Sequence, residues 1–214
     1  MNRLVMMVSI LKRSLSENAI SFLNNEGISL TLGRYGRGTA TSELSKLFMP
    51  DREKCVLFSA VPYSASKRIM VDLLSTCGHG GVAFTIPITS VGGSSVFEYL
   101  QGKMNVEEVK DMDAIKFENE LIIAVTNRGY TDNVMSVARE AGARGGTVIH
   151  ARGTGDEASE KFFGSTVGAE KEMIFIVVEK KDKNNVMNAI MEKAGINSEA
   201  QTFMFTLPVI DTAK

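Results

Sequence analysis

Two short stretches carry residue types suited to holding a small charged molecule: Arg37-Gly38-Thr39 and Arg152-Gly153-Thr154. The arginine supplies a fixed cation with planar donors, and the glycine lets the backbone turn or approach a ligand closely. Each stretch opens a long polar run, residues 39–53 and 155–170. Unstructured runs of more than about 12 residues are uncommon in compact domains and are usually functional or mobile. A third stretch, Gly78-His79-Gly80-Gly81, could turn backbone N–H groups toward an anion. Arg-Gly-Thr by itself also suits a plain turn with a solubilising arginine. Its occurrence twice, each time beside a long polar run, points to a site.

Catalytic chemistry finds little support. The two histidines, His79 and His150, lie near no recognisable serine or cysteine nucleophile, and His150 sits in an apolar run that reads as structural. No GxxxxGK[ST] phosphate loop, HExxH or EF-hand pattern occurs, and the carboxylates are scattered over presumed helix surfaces. Cys55 and Cys77 lack CxxC spacing and read as small buried residues of a reduced protein. An enzyme is disfavoured.

Bulk composition narrows the partners. The 214 residues are 44% hydrophobic and 23% charged with net charge −1, which gives no global basic field for nucleic acid or an anionic membrane. No apolar run approaches the roughly 18 residues of a membrane helix. The apolar N-terminal run ends at Lys12-Arg13 and reads as a first strand rather than a signal peptide. A cytoplasmic location is expected.

The elements that must position these residues come in two copies. Shifted by 115 positions, residues 6–40 lie on 121–155, matching Arg13 to Arg128, Gly27 to Gly142 and Arg37-Gly38-Thr39 to Arg152-Gly153-Thr154. At a shift of 117, KCVLFSAV (54–61) lies on KEMIFIVV (171–178); at 121, residues 84–87 lie on 205–208. The offset changes only within presumed loops, as insertions between elements should.

Each copy reads β-α-β-β-α-β. Strands are expected at 3–10, 29–32, 55–61 and 82–88, and at 120–126, 147–151, 173–178 and 202–209. Helices start near Ser16 and Thr131, with second helices over 66–76 and 183–194. Gly27, Gly142, Gly78 and Gly195 follow the helices, where a left-handed residue suits glycine. The fold class is therefore α+β: two tandem ferredoxin-like modules, each a four-stranded antiparallel sheet carrying two helices. The division is 1–92, a connector with a short helix over 93–116, and 117–214. Both alternate positions of the third strands are apolar, so the face away from the helices needs cover and self-assembly is expected.

Residues 118–179, with Gly142-Ala143-Arg144-Gly145-Gly146-Thr147-Val148, Arg152-Gly153-Thr154-Gly155 and Lys171 before the third strand, resemble the PII nitrogen-regulatory family. Copy one resembles it more faintly. The resemblance implies a homotrimeric, non-enzymatic regulator that binds ATP, ADP or another adenine nucleotide between modules, often with 2-oxoglutarate, and requires no resident cofactor. Its long loops, 155–170 and 39–53, would contact a regulated transporter or enzyme. The implied nucleotide-binding residues are Thr147, Arg152, Gly153, Thr154, Gly155 and Lys171 of copy two, with Arg37, Gly38, Thr39, Gly78, Gly80 and Gly81 of copy one. The chain departs from the family: the loop tyrosine that some members have modified is absent from both loops, and in copy one Leu32 and Ala40 stand at the positions of Thr147 and Gly155. Neither turn before a last strand has the family's Gly-Lys, and its paired arginines after the last strand are missing. A second reading stays open: a ferredoxin-like small-molecule-binding or assembly module without nucleotide.

Overall fold

Strands apolar on both faces, each followed by a glycine-stopped helix, build both halves of the chain. The computed structural model describes residues 4–39, 53–78, 81–88, 94–101, 117–152 and 170–213. The strands are β1 (Leu4–Lys12), β2 (Thr31–Gly38), β3 (Glu53–Pro62), β4 (Val82–Pro87), β5 (Asn119–Asn127), β6 (Thr147–Arg152), β7 (Glu170–Glu179), β8 (Phe203–Val209) and β9 (Thr212–Ala213). The helices are α1 (Ser16–Asn25), α2 (Tyr63–Thr76), α3 (Ser94–Gln101), α4 (Thr131–Glu140) and α5 (Lys183–Ala194), with a 3-10 turn at Arg13–Leu15. They form two compact units. The first holds Met1–Tyr35, Glu53–Glu118 and Pro208–Lys214, the second Gly36–Arg52 and Asn119–Leu207.

In the first unit β1 is central. It pairs antiparallel with β3, Leu4 opposite Pro62 and Lys12 opposite Lys54, and with β4, Val5 opposite Pro87. The order β2-β3-β1-β4 is the split βαβ arrangement, and β9 lies beside β4. One sheet face meets α1 and α2 through Val5, Met7, Leu11, Leu23, Leu57, Ile69 and Leu73. Each such side chain contributes about 1.5–3 kcal/mol by leaving water. Cys55 and Cys77 belong to this core as free thiols, and burial pushes both thiols above their ordinary range. Val8, Val56 and Phe84, on the alternate positions, are buried as well, while Met6, Ile10 and Phe58 on that face are partly exposed. Within the expected connector, α3 lies against β3, and the Tyr99 hydroxyl donates to the Ser29 carbonyl at 2.8 Å. The 104–116 stretch lies outside the described residues.

The second unit repeats the plan. β5 pairs antiparallel with β7 from Asn119 opposite Glu179 to Asn127 opposite Lys171, and β6 pairs with the outer side of β7. The order is β8-β5-β7-β6. Helices α4 and α5 cover one face through Val134, Met135, Val186 and Ile190 against Ile122, Ala124, Ile174 and Ile176. Leu121, Ile123 and Phe175 are buried on the other face.

Three of the four helix-ending glycines are left-handed as expected: Gly27 (φ 80°), Gly78 (φ 71°) and Gly142 (φ 110°). Gly195 corrects the fourth. Its φ is −69°, and a side chain there would meet the Met191 carbonyl oxygen at 2.2 Å. Glycine is needed at 195 for close approach, not for handedness. The second strand is a further correction. It runs Thr31–Gly38 rather than 29–32, so Arg37 and Gly38 are strand residues instead of loop residues. The cause is a pairing that the local sequence does not reveal: Gly36, Arg37 and Gly38 lie opposite Ile149, Val148 and Thr147 of β6.

The C-terminal residues complete the first unit. Ile210 N–H donates to the Thr85 carbonyl (2.9 Å) and Thr85 N–H to the Asp211 carbonyl (3.1 Å), while Ile210 and Ala213 pack on the first core. Removal of Ile210–Lys214 should therefore speed hydrogen exchange at the Thr85 amide by at least about tenfold, leaving β5 amides unchanged. Mass-spectrometric or NMR exchange reads this directly.

Candidate functional site

The residues expected to bind a ligand fall into three places. In the second unit, Arg37, Gly38 and Thr39 come together with Thr147, because the end of β2 lies on the start of β6. Gly36 permits this approach: a side chain there would meet the Val148 carbonyl oxygen at 2.4 Å. Thr39 is pinned by its N–H to the Gly146 carbonyl (3.0 Å), and its hydroxyl both donates to that carbonyl and accepts from the Gly146 N–H, each at 2.8 Å. The Arg139 guanidinium donates to the Thr39 carbonyl. Arg37 approaches the Asp132 carboxylate at 3.9 Å, and Asp132 is highly exposed. Two guanidiniums thus reach this stretch, Arg37 toward the Asp132 carboxylate and Arg139 onto the Thr39 carbonyl.

The second place is the start of β7. Three consecutive residues there are held by the turn between β5 and α4. Arg128 pairs with Glu170, and the Arg128 N–H donates to the Glu170 carbonyl (3.3 Å). Lys171 Nζ donates to Asn127 Oδ1 at 2.6 Å, and partial burial lowers the ammonium below the usual lysine range. Glu172, only 4% exposed, accepts from the Thr131 hydroxyl (2.6 Å) and the Gly129 N–H (3.2 Å), with His150 Nδ1 at 3.6 Å.

Asn127 ties this cluster to the turn before β8, donating through Nδ2 to the Glu199 carbonyl (3.0 Å) and Gln201 Oε1 (3.1 Å). The Tyr130 hydroxyl donates to Glu199 at 3.2 Å, and that carboxylate pushes the phenol above its ordinary range. Glu170, Glu172 and Glu199 outnumber Arg128 and Lys171, so this corner is acid-rich.

The third place is the turn before β4. Gly78 ends α2 in left-handed geometry, with open space where a side chain would go among the described residues. Gly81 has a packing reason, since a side chain would meet Leu11 Cδ2 at 2.4 Å and the Ile10 carbonyl at 2.9 Å. Arg152 lies in β6 opposite Glu170. Gly153, Thr154, Gly155 and Gly80, with most of the two long runs, lie outside the described residues.

Asn127, Glu172, Arg139 and the pair Arg13–Glu53 (3.0 Å) were not singled out from the sequence. A signal for the last existed. Arg13 matches Arg128, and Glu53 and Glu170 each precede a matched lysine, so the same ion pair recurs in both units. Among the described residues no set of three or more His, Cys, Asp and Glu side chains could hold a metal, and no helix is long and apolar enough to cross a membrane.

These units are α+β with antiparallel split βαβ sheets. Residues 119–214 match the family model described as nitrogen regulatory protein P-II, so the resemblance read from that half's sequence holds there. Among solved structures, Arabidopsis thaliana PII bound to citrate is 26% identical over 44% of this chain and 77% of its own, with TM-score 0.34. The B. subtilis GlnK-ATP complex is 16% identical over 42% and 82%, with TM-score 0.29. An unknown protein from Galdieria sulphuraria is 11% identical over 98% and 100%, with TM-score 0.30. No curated protein matches the chain.

Two outcomes follow from the site geometry. Replacing Gly36 with Ala forces a carbon against the Val148 carbonyl and should cost about 1–3 kcal/mol, the usual penalty of overpacking, measured by urea unfolding. Lys171 gives a pH test. Its ammonium is disfavoured in the fold, so between its lowered folded value and the ordinary lysine value the unfolded chain binds more protons. Stability from this group therefore rises with pH across that window, and the charge is a cost at neutral pH. Lys171→Met should gain on wild type at pH 7 and lose that gain as pH approaches the ordinary lysine value near 10.5, as read by unfolding at stepped pH.

Proposed function

We propose that this chain is a PII-like signal-transduction protein of the nitrogen-regulation type, built as two tandem modules divided at 1–92, 93–116 and 117–214. It is a regulator and not an enzyme, it works in the cytoplasm, and it assembles as a homotrimer. It binds ATP, ADP or another small anionic effector and acts on a transporter or enzyme through residues 39–53 and 155–170. The P-II match over residues 119–214 carries this reading. The bound citrate of the Arabidopsis protein and the ATP of the B. subtilis protein are both anionic, in keeping with an anionic effector.

Within the expected set, Arg37, Gly38, Thr39 and Thr147 are the ones gathered with a second arginine, Arg139. We place the anionic end of the effector there. Arg152, Gly153, Thr154, Gly155 and Lys171, with Gly78, Gly80 and Gly81, remain candidates for the rest of the molecule. The acid excess around Lys171 favours the second reading, a ferredoxin-like binding or assembly module that takes no nucleotide.

A thermal-shift series with ATP, ADP, AMP and bicarbonate, each with and without magnesium and 2-oxoglutarate, separates the two. A ligand at 100 times its dissociation constant adds about 2.7 kcal/mol, which moves the midpoint by several degrees. Arg37→Ala should then weaken the responding ligand at least about tenfold, the loss of one charge-assisted hydrogen bond of roughly 1.5–3 kcal/mol. Silence across the series would give the second reading the lead. Sedimentation showing a folded monomer at working concentration would remove the trimer.

A further inference from the structure

We propose that Asn127 is a latch inside the second unit: its one side-chain amide holds Lys171 on one side and a strained turn on the other, so that drawing Lys171 away loosens the turn. Every residue involved lies within Asn119–Leu207. Asn127 stands directly opposite Lys171 in the β5–β7 ladder, so the two side chains share one face as close neighbours. Lys171 Nζ donates to Asn127 Oδ1 at 2.6 Å, the one side-chain hydrogen bond that oxygen accepts among the described residues. Asn127 Nδ2 directs its protons at the turn before β8, to the Glu199 carbonyl (3.0 Å) and to Gln201 Oε1 (3.1 Å).

That turn needs holding. Gln201 has φ 45°, and among the described residues no other side-chain-bearing residue is left-handed. A Cβ crowds the backbone in this conformation, which persists only where neighbours impose it. At the shift of 121 the first copy has Gly80 at this position, the residue type that adopts such a conformation freely. The second copy has a glutamine instead, and the end of its side chain is one of the two acceptors that Asn127 reaches. The Asn127 N–H donates to the Ala200 carbonyl (3.0 Å), so the backbone keeps the turn at hand whichever way the amide points. The amide is planar, and its oxygen and nitrogen turn together. With Lys171 in place, one orientation satisfies both. Once an anion draws the ammonium off, Oδ1 is left half-buried without its donor, and the amide gains by turning. Both bonds from Nδ2 to the turn are then lost. Lys171 is a candidate contact of the effector proposed above, so the latch deepens that reading by giving the contact a consequence.

The test needs no effector, so it stands or falls apart from the proposed function. Amide hydrogen exchange of the full chain is followed under native conditions, where local opening sets the rate. The probes are Gln201 N–H, bonded to the Ser198 carbonyl (3.1 Å), and Thr202 N–H, bonded to the Ala194 carbonyl (3.2 Å). Ala143 N–H, bonded to the Ala138 carbonyl (2.9 Å) in the same unit, is the reference. Lys171→Met should speed exchange at Gln201 and Thr202 by about threefold or more and leave Ala143 unchanged, and Asn127→Ala should do the same. The double variant should be no faster than Asn127→Ala alone, because both changes remove one restraint. Rates that multiply in the double variant, or an unchanged rate in Lys171→Met, overturn the latch. If Asn127→Ala fails to fold, Asn127→Asp takes its place. It keeps an acceptor for Lys171 and loses both donors to the turn, so it should speed exchange at Gln201 and Thr202, and adding Lys171→Met should change nothing further. A further acceleration refutes the latch.

Discussion

Gly36 sits where any side chain would collide with the Val148 carbonyl, and the second unit depends on that closeness. Without it β6 would lose the strand that pairs with Thr147–Ile149, and its backbone groups there would face water or nothing. Thr39, Gly146 and Arg139 come into register only because Gly36–Gly38 lie flat on β6. At the other end of the sequence Pro208–Lys214 does the same for the edge of β4. Each unit is thus closed by chain that lies next to the other unit in sequence, and each closure satisfies an edge that a four-stranded module leaves open.

The same geometry sorts charge. Bringing β2 to β6 sets Arg37 toward Asp132 of α4 and the Thr39 carbonyl under the Arg139 guanidinium. The far end of β7 collects carboxylates, and each has a named partner: Arg128 for Glu170, Thr131 and Gly129 for Glu172, Tyr130 for Glu199. Burying Glu172 without those donors would cost several kcal/mol. The hydrogen bonds explain how a carboxylate sits among β-sheet residues.

Most of the fold was legible because it rests on local rules. Apolar runs marked the strands, helical spacing after Ser16 and Thr131 marked α1 and α4, and the left-handed glycines at 27, 78 and 142 marked helix ends. Gly195 misled because glycine serves close packing as readily as handedness, and sequence does not say which. The extent of β2 was missed because its last three residues are strand only by virtue of a partner more than a hundred residues away. The candidate site was legible in part. The Arg-Gly-Thr stretch of copy one stands out in the sequence, whereas Arg139 and Asn127 make contacts that no spacing encodes. The Arg13–Glu53 and Arg128–Glu170 pairs were written in the repeat itself and needed the two copies to be compared as pairs instead of single positions.

The two copies of one plan nonetheless hold different interiors. At equivalent positions the first unit has Leu11 and Gly81 where the second has Thr126 and Thr202. In the first, Leu11 occupies the space a side chain at Gly81 would need. In the second, two medium side chains stand there: the Thr202 hydroxyl donates to Thr126 Oγ1 (3.1 Å), and the Thr126 hydroxyl donates to the Ala200 carbonyl (2.9 Å). Large against none and medium against medium are both close-packed solutions, and mixing them would leave either an overlap or a void. The neighbouring position repeats the contrast, with Cys55 buried in an apolar core and Glu172 bonded to Thr131. The first unit has thus kept this end of its sheet apolar while the second has made it a polar, hydrogen-bonded hub around Asn127. An apolar end resists change cheaply, whereas a hub of named donors and acceptors can be rearranged by exchanging one partner for another.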